Sequence, residues 1–191
     1  KQKQIANIIT GPQLHKNVID YEVNSYKNYQ NLFEKKYDNL IEVKWAATNN
    51  VFFKYDILKK NPIYFDIKLN KFGMGEDQLF FSILNKKGNK ILWCEKIKAY
   101  ETSHKDRSEI SWIKNRSYRL GVLGHYLDIS IHGKLIGYSI NYLKSIFFLL
   151  NLIKYFFLYI FFNQNKIQMI LNLYRFYGKL MGPFVIKKIS F

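Results

Sequence analysis

No aspartate or glutamate follows Asp128, yet Lys134, Lys144, Lys154, Lys166, Arg175, Lys179, Lys187 and Lys188 do. About half of the formal net charge of +16 therefore sits in the final third of the chain, interleaved with aliphatic and aromatic residues. That mixture points to an anionic membrane surface rather than to nucleic acid, for which no reader motif accompanies the charge. Ile146 to Phe162 is long enough to be weighed as a span, but Asn151 and Lys154 lie near its middle. A central lysine costs roughly 2.5 to 3.5 kcal/mol on insertion scales, which disfavours a simple crossing. On a helical wheel Asn141, Lys144, Asn151, Lys154 and Asn165 fall opposite Ile146, Leu149, Leu150, Ile153, Phe156, Phe157 and Ile160. Gln168, Asn172, Arg175 and Lys179 likewise fall opposite Ile170, Leu173, Tyr174, Tyr177 and Leu180. Residues 129–191 are thus expected to be basic amphipathic helices at a membrane interface. Packing of their apolar faces on the domain or on a second subunit is the alternative.

The preceding segment, 1–128, reads as one α/β domain. The chain has 191 residues, 48% of them hydrophobic, enough for a packed core. Its one cysteine, Cys94, rules out an intrachain disulfide and a cysteine-cluster zinc site, and beside Trp93 it reads as a core residue. Ile5 to Thr10 is predicted as a buried strand ended by Gly11-Pro12. Gln13 to Lys44 is polar, with helical spacing at Tyr26, Tyr29, Leu32 and Phe33. Lys44 to Phe53 reads as a strand interrupted at Thr48-Asn49-Asn50, either a cleft-facing polar stretch or a plain turn. A short helix over Asp56 to Lys60, stopped by Asn61-Pro62, a strand over Ile91 to Cys94 and an extended run over Ile97 to Thr102 complete the pattern.

Between these elements, Gly73-Met74-Gly75-Glu76-Asp77 leads into a helix whose buried face carries Leu79, Phe80, Ile83 and Leu84. Glycines allow positive φ and close approach of a ligand, and they set two adjacent carboxylates at a helix start. Glu76 and Asp77 are either first-turn acids favoured by the helix dipole or chemical groups. Farther on, Arg107, Arg116 and Arg119 cluster in a chain where lysine otherwise dominates, and a guanidinium fork suits phosphate or carboxylate. Ser108 is a plausible N-cap, and Trp112, Arg116 and Arg119 then share one helix face. Four histidines occur without a recognisable nucleophile motif, so a catalytic triad is not indicated.

Four of these stretches, in order, resemble the C-terminal half of family 2 glycosyltransferases, inverting enzymes of the GT-A fold. Thr48-Asn49-Asn50 is similar to the family's Thr-Gly-Asn, and Phe65-Asp66 to its Phe-Asp. Gly73-Met74-Gly75-Glu76-Asp77-Gln78-Leu79 resembles its Gly-Gly-Glu-Asp-x-x-Leu, one residue short. Arg107, Trp112 and Arg116 match its Arg-x-x-x-x-Trp-x-x-x-Arg. The resemblance covers roughly residues 5–124 and implies an incomplete GT-A mixed sheet with flanking helices, followed by the amphipathic helices. It implies Asp77 as general base toward an acceptor hydroxyl, with Glu76 holding the acceptor or orienting the base. Thr48, Asn49, Asn50, Gly75, Arg107, Trp112, Arg116 and Arg119 are the implied acceptor- or donor-binding residues, and Glu101 and His104 candidates near a metal or diphosphate.

The family's Asp-x-Asp, which holds a divalent cation, is absent from this sequence. The resemblance therefore implies Mg or Mn only in the complete enzyme and none bound by this chain alone. It also implies a nucleotide-binding half supplied from elsewhere, whose absence is expected to leave an unpaired sheet edge along Ile5 to Thr10. The implied function is sugar transfer from a nucleotide sugar to a cell-surface glycan or glycolipid, peripheral or monotopic at the cytoplasmic face of the cell membrane, with no role for nucleic acid. A non-catalytic membrane-surface or partner-binding descendant of such an enzyme is the alternative.

Overall fold

The computed structural model of the chain describes residues 6–17, 32–60, 62–103, 107 and 109–189. They belong to two compact units, Lys1–Ser108 and Glu109–Phe191, so the expected boundary after residue 128 falls inside a helix instead.

The first unit is mixed α/β. Strands β1 (Ile8–Thr10), β3 (Glu42–Val43), β4 (Val51–Phe53) and β5 (Ile91–Trp93) form a sheet in the order β3-β5-β1-β4. β1 runs parallel to β5, with Ile8 opposite Ile91, and antiparallel to β4, with Ile8 opposite Phe53. Ile8 and Ile91 are both fully buried, as apolar residues of inner strands should be. The strand expected from Ile5 is present over its described part, but the open edge expected along it is not. β4 and β5 pair with its two sides, and the sheet's edges are β3 and β4.

Helix α1 (Asp56–Lys60) has the predicted bounds, and helix α2 (Glu76–Lys86) starts at the predicted acidic turn. α2 contributes Phe80, Phe81 and Leu84 to one core cluster with Ile8, Val43, Ile57, Ile91 and Trp93. Phe80 also stacks on Phe65, ring centroids 4.5 Å apart, which fixes the approach to α2 from the preceding turn.

A separate parallel ribbon joins β2 (Gln13–Asn17) to β6 (Ala99–Ser103), with Gln13 opposite Ala99. β2 is a correction to the reading of the polar stretch after Pro12. Its pairing comes from backbone hydrogen bonds to β6, which polar side chains do not advertise. Tyr26 and Tyr29 lie outside the described residues, while Leu32 and Phe33 stand in a turn rather than a helix.

The second unit is all helical: α3 (Ile110–His132), α4 (Lys134–Phe162) and α5 (Lys166–Ile189). Glu109 occupies the N-cap of α3 without a side-chain hydrogen bond, and Ser108, expected to cap it, lies outside the described residues. α3 continues through Gly121 because that residue faces α5. A Cβ there would lie 2.5 Å from Arg175 O and 2.8 Å from the Cα of Gly178. Gly133 alone separates α3 from α4, and Asn163 and Asn165, both at positive φ, turn α4 into α5.

The amphipathic pattern expected of 129–191 is present, but much of its polar side faces inward. Asn141 and Ser145 on α4, and Asn172 and Lys179 on α5, are buried together with Ser117, His125 and Asp128 of α3. The exposed surface carries Leu143, Phe147, Leu150, Phe157 and Phe161 of α4, and Leu173, Leu180 and Phe184 of α5. α4 is long and apolar enough to cross a membrane, and little of it is buried within the protein.

Candidate functional site

The acidic turn is built by Gly75, which caps α2 at φ 97° and ψ −7°, a left-handed conformation that glycine adopts without a Cβ clash. That geometry aims the first turn of α2 back toward the segment before β4. There Thr48–Asn50 makes one 3-10 turn. The N–H of Thr48 donates to Oδ2 of Asp77 at 3.3 Å, and the N–H of Gln78 donates to Oδ1 at 2.7 Å. Two of the stretches singled out from sequence thus meet at one carboxylate.

Burial pushes the Asp77 carboxyl above the usual carboxylate range. The Gln78 and Thr48 N–H groups act against that rise, and the neighbouring Glu76 charge adds to it. Oε2 of Glu76 is buried with no hydrogen-bond donor among the described residues. The turn therefore holds one carboxylate that binds a proton more readily than usual, beside a second with an acceptor oxygen to offer. Asp66, of the Phe65-Asp66 pair, accepts from the Lys68 N–H at 3.0 Å and caps the one-turn helix Ile67–Lys71.

Thr48 and Asn49 are exposed beside Asp77, whereas Asn50 is buried and has a structural job. Its Nδ2 donates to Pro12 O and to Ile97 O, each at 2.9 Å, and its own carbonyl accepts from the Thr10 hydroxyl at 2.7 Å. It ties the end of β1 and the approach to β6 to the turn that presents Thr48. Asn50, which the resemblance implies as a binding residue, is thus bonded into the scaffold that carries Thr48.

Glu101 has both oxygens engaged. Oε1 accepts from Nη1 of Arg107 at 2.8 Å, and Oε2 accepts from Nε2 of Gln13. Gln13 was not visible from sequence, because an isolated glutamine in a polar stretch carries no spacing signal. A carboxylate committed to a guanidinium and an amide does not fit a metal ligand, and His104 lies outside the described residues. Among the described residues no three His, Cys, Asp or Glu side chains gather as a metal-binding group. The residues described do not fit the cation that the resemblance implies for the complete enzyme, and no step below is routed through one.

Trp112, Arg116 and Arg119 belong to the second unit and are half-buried on α3. The Arg116 guanidinium lies 5.1 Å from the centroid of the Trp112 ring, a cation–π contact across one helical turn. Arg107 belongs to the first unit, so the four-part pattern read along the sequence is divided between units.

A further group, missed from sequence, lies within the second unit. Asp128 Oδ1 meets Nζ of Lys144 at 2.5 Å, and Oδ2 lies 3.7 Å from Nζ of Lys179. Lys179 also donates to Oδ1 of Asn141 at 3.0 Å, and the Ser145 hydroxyl donates to Asn141 O. The signal was the spacing of Asn141, Lys144 and Ser145 at i, i+3 and i+4 within an apolar helix.

Comparison with family models, with curated proteins and with solved structures gives no match.

Proposed function

We propose that the chain is the acceptor-binding, base-carrying part of an inverting glycosyltransferase at a membrane surface, working with a nucleotide-binding part supplied by another segment or chain. The observation that carries this reading is the contact between Thr48 and Asp77. It joins two motifs that the resemblance treats as parts of one site although 29 residues separate them.

In this reading the Asp77 carboxylate takes the proton of an acceptor hydroxyl as that oxygen attacks the anomeric carbon. The carbon–oxygen bond to the nucleoside diphosphate breaks, and the diphosphate leaves with the electron pair. Burial suits Asp77 to the task, because a base whose pKa approaches the working pH accepts a proton more effectively. Glu76 Oε2 accepts a hydrogen bond from a second acceptor hydroxyl, and the exposed Thr48 and Asn49 border the approach. In this reading the acceptor is held in a membrane, at the cytoplasmic face where nucleotide sugars are made, and the exposed apolar surface of α4 and α5 supports membrane association. Arg107, held by Glu101, supplies positive charge toward the leaving diphosphate.

The test is incorporation of labelled sugar into the lipid and glycan fractions of membranes from cells that do or do not express the chain, with a panel of nucleotide sugars as donors. Incorporation that requires the chain supports the proposal. Equal incorporation with and without it, for every donor in the panel, overturns it.

A second reading, a non-catalytic membrane-surface protein derived from such an enzyme, is favoured by the extensive apolar surface of α4 and α5. It predicts vesicle binding that is lost on removal of residues 136–191, without any chain-dependent transfer.

A further inference from the structure

In a water-facing helical bundle, apolar side chains fill the interior and charged ones cover the outside. The second unit does the reverse over much of its surface. Lys179 and Asp128 are 3% and 5% exposed, while Leu135 is 87%, Phe161 69% and Leu150 61% exposed. Leaving so many large apolar side chains in water is unfavourable by about 25 cal/mol per Å² of apolar surface, so this face needs an apolar covering.

The charge pattern identifies the covering. From Leu135 to Ile153 the only charged residue of α4 is Lys144, and its ammonium turns to Asp128. That stretch is roughly 28 Å long at 1.5 Å per residue, close to the thickness of a bilayer's hydrocarbon core. Lys134 starts α4 and Lys166 starts α5, placing cations at helix ends with no acid after Asp128. Lys154, toward the far end of α4, sits 5.5 Å from the Tyr155 ring centroid, on a stem long enough to reach the headgroups. Cationic ends, with Lys144 paired to Asp128 and Lys154 toward one end, complement anionic headgroups and acyl chains. The α4 and α5 helices of a second copy would bring no acid to these terminal cations.

The polar groups between the helices fit the same setting. Buried Lys179 and the half-exposed Lys144 share Asp128, while Asn141 and Ser145 supply further hydrogen bonds. In hydrocarbon such groups are tolerated where they pair with one another inside packed helices.

We propose that α4 and α5 insert into bilayer hydrocarbon as a helical hairpin, their outward faces against acyl chains and Asp128 holding the countercharge for Lys144 and Lys179 within the packed unit. This deepens the membrane reading above, from binding at the surface to insertion, and does not depend on the transferase assignment.

The test uses the full chain in phosphatidylcholine–phosphatidylglycerol vesicles. With Cys94→Ser, a nitroxide is attached at Leu150→Cys, and its accessibility to dissolved oxygen and to a water-soluble nickel chelate is measured. Insertion predicts oxygen accessibility well above chelate accessibility, and retention on the vesicles through 1 M salt and alkaline carbonate. Vesicle binding that salt removes, with the label accessible to the chelate, overturns insertion while leaving surface binding intact. No binding to vesicles overturns both. A label shielded from both reagents, with a dimer captured by cross-linking, assigns the face to a second copy and overturns the proposal.

Asp128→Asn should lower the carbonate-resistant fraction roughly tenfold by leaving two lysines without countercharge. Asp128→Asn with Lys179→Met should restore most of it. If both variants insert like the wild type, the countercharge role is wrong.

Discussion

Asn50→Ala removes both amide hydrogen bonds that tie the Thr48 turn to the ends of β1 and β6, and the cost can be worked bond by bond. Pro12 O keeps the Ala99 N–H at 3.1 Å, so its loss is an ordinary one of about 0.5–1.5 kcal/mol. Ile97 O, accepting from Nδ2 at 2.9 Å in a part-buried position, loses that donor at about 1–3 kcal/mol. The sum is about 1.5–4.5 kcal/mol, equivalent to a melting-temperature drop of roughly 6–36 °C for a unit of this size. Asn50→Asp should be worse at neutral pH, because it aims a carboxylate at two carbonyl oxygens, and should partly recover in acid as that carboxylate is protonated. The assay is urea unfolding of the full chain in detergent, with Trp45→Phe and Trp112→Phe as background so that fluorescence reports Trp93, which is buried in the first unit. A midpoint shift at unchanged slope is the expected signature. If Asn50→Ala changed stability by less than about 0.5 kcal/mol, or if Asp outperformed Ala at neutral pH, the scaffold role would be refuted.

Asp77 should make the first unit less stable as pH rises. Its folded-state pKa is above the ordinary 3.8, so the folded chain holds more protons than the unfolded one between 3.8 and the raised value. Stability therefore falls across that window, and Asp77→Asn should flatten the fall, measured by urea unfolding at a series of pH values; an unchanged slope would discount the burial. Gly178→Val should disrupt the second unit by about 1–3 kcal/mol or more, because the new side chain meets the backbone of Tyr118. A tolerated valine, judged by helical circular dichroism on heating, would mean the α3–α5 approach is looser than described. Glu101→Gln should cost no more than about 1 kcal/mol, since the Arg107 pair is one-third exposed and the new amide can still accept from Gln13.

The parts of the fold that were legible in the sequence are those with strong local punctuation. Gly75 before two acids and an apolar run gave α2, and Asn61-Pro62 bounded α1. β2 was hidden because parallel pairing to a distant strand is made by backbone groups, with polar side chains that do not alternate. The scaffold bonds of Asn50 were hidden because a sequence shows an amide but not the two carbonyl oxygens it meets. In the last third, periodicity located the polar and apolar faces correctly but could not say which faced inward. An apolar face looks the same on a helical wheel whether it points inward or outward; the burial of Lys179 and Asp128 shows that the polar face is the inner one.

Under the proposed function Asp77 removes the acceptor's proton. The direct measurement is the initial rate of labelled-sugar incorporation by membranes carrying either the wild-type chain or Asp77→Asn at matched expression, across pH. The wild-type rate should rise with pH through the raised pKa of Asp77, and the variant should be slower by on the order of 10²- to 10⁴-fold with that rise absent. A variant with wild-type rates and the same pH profile would contradict it.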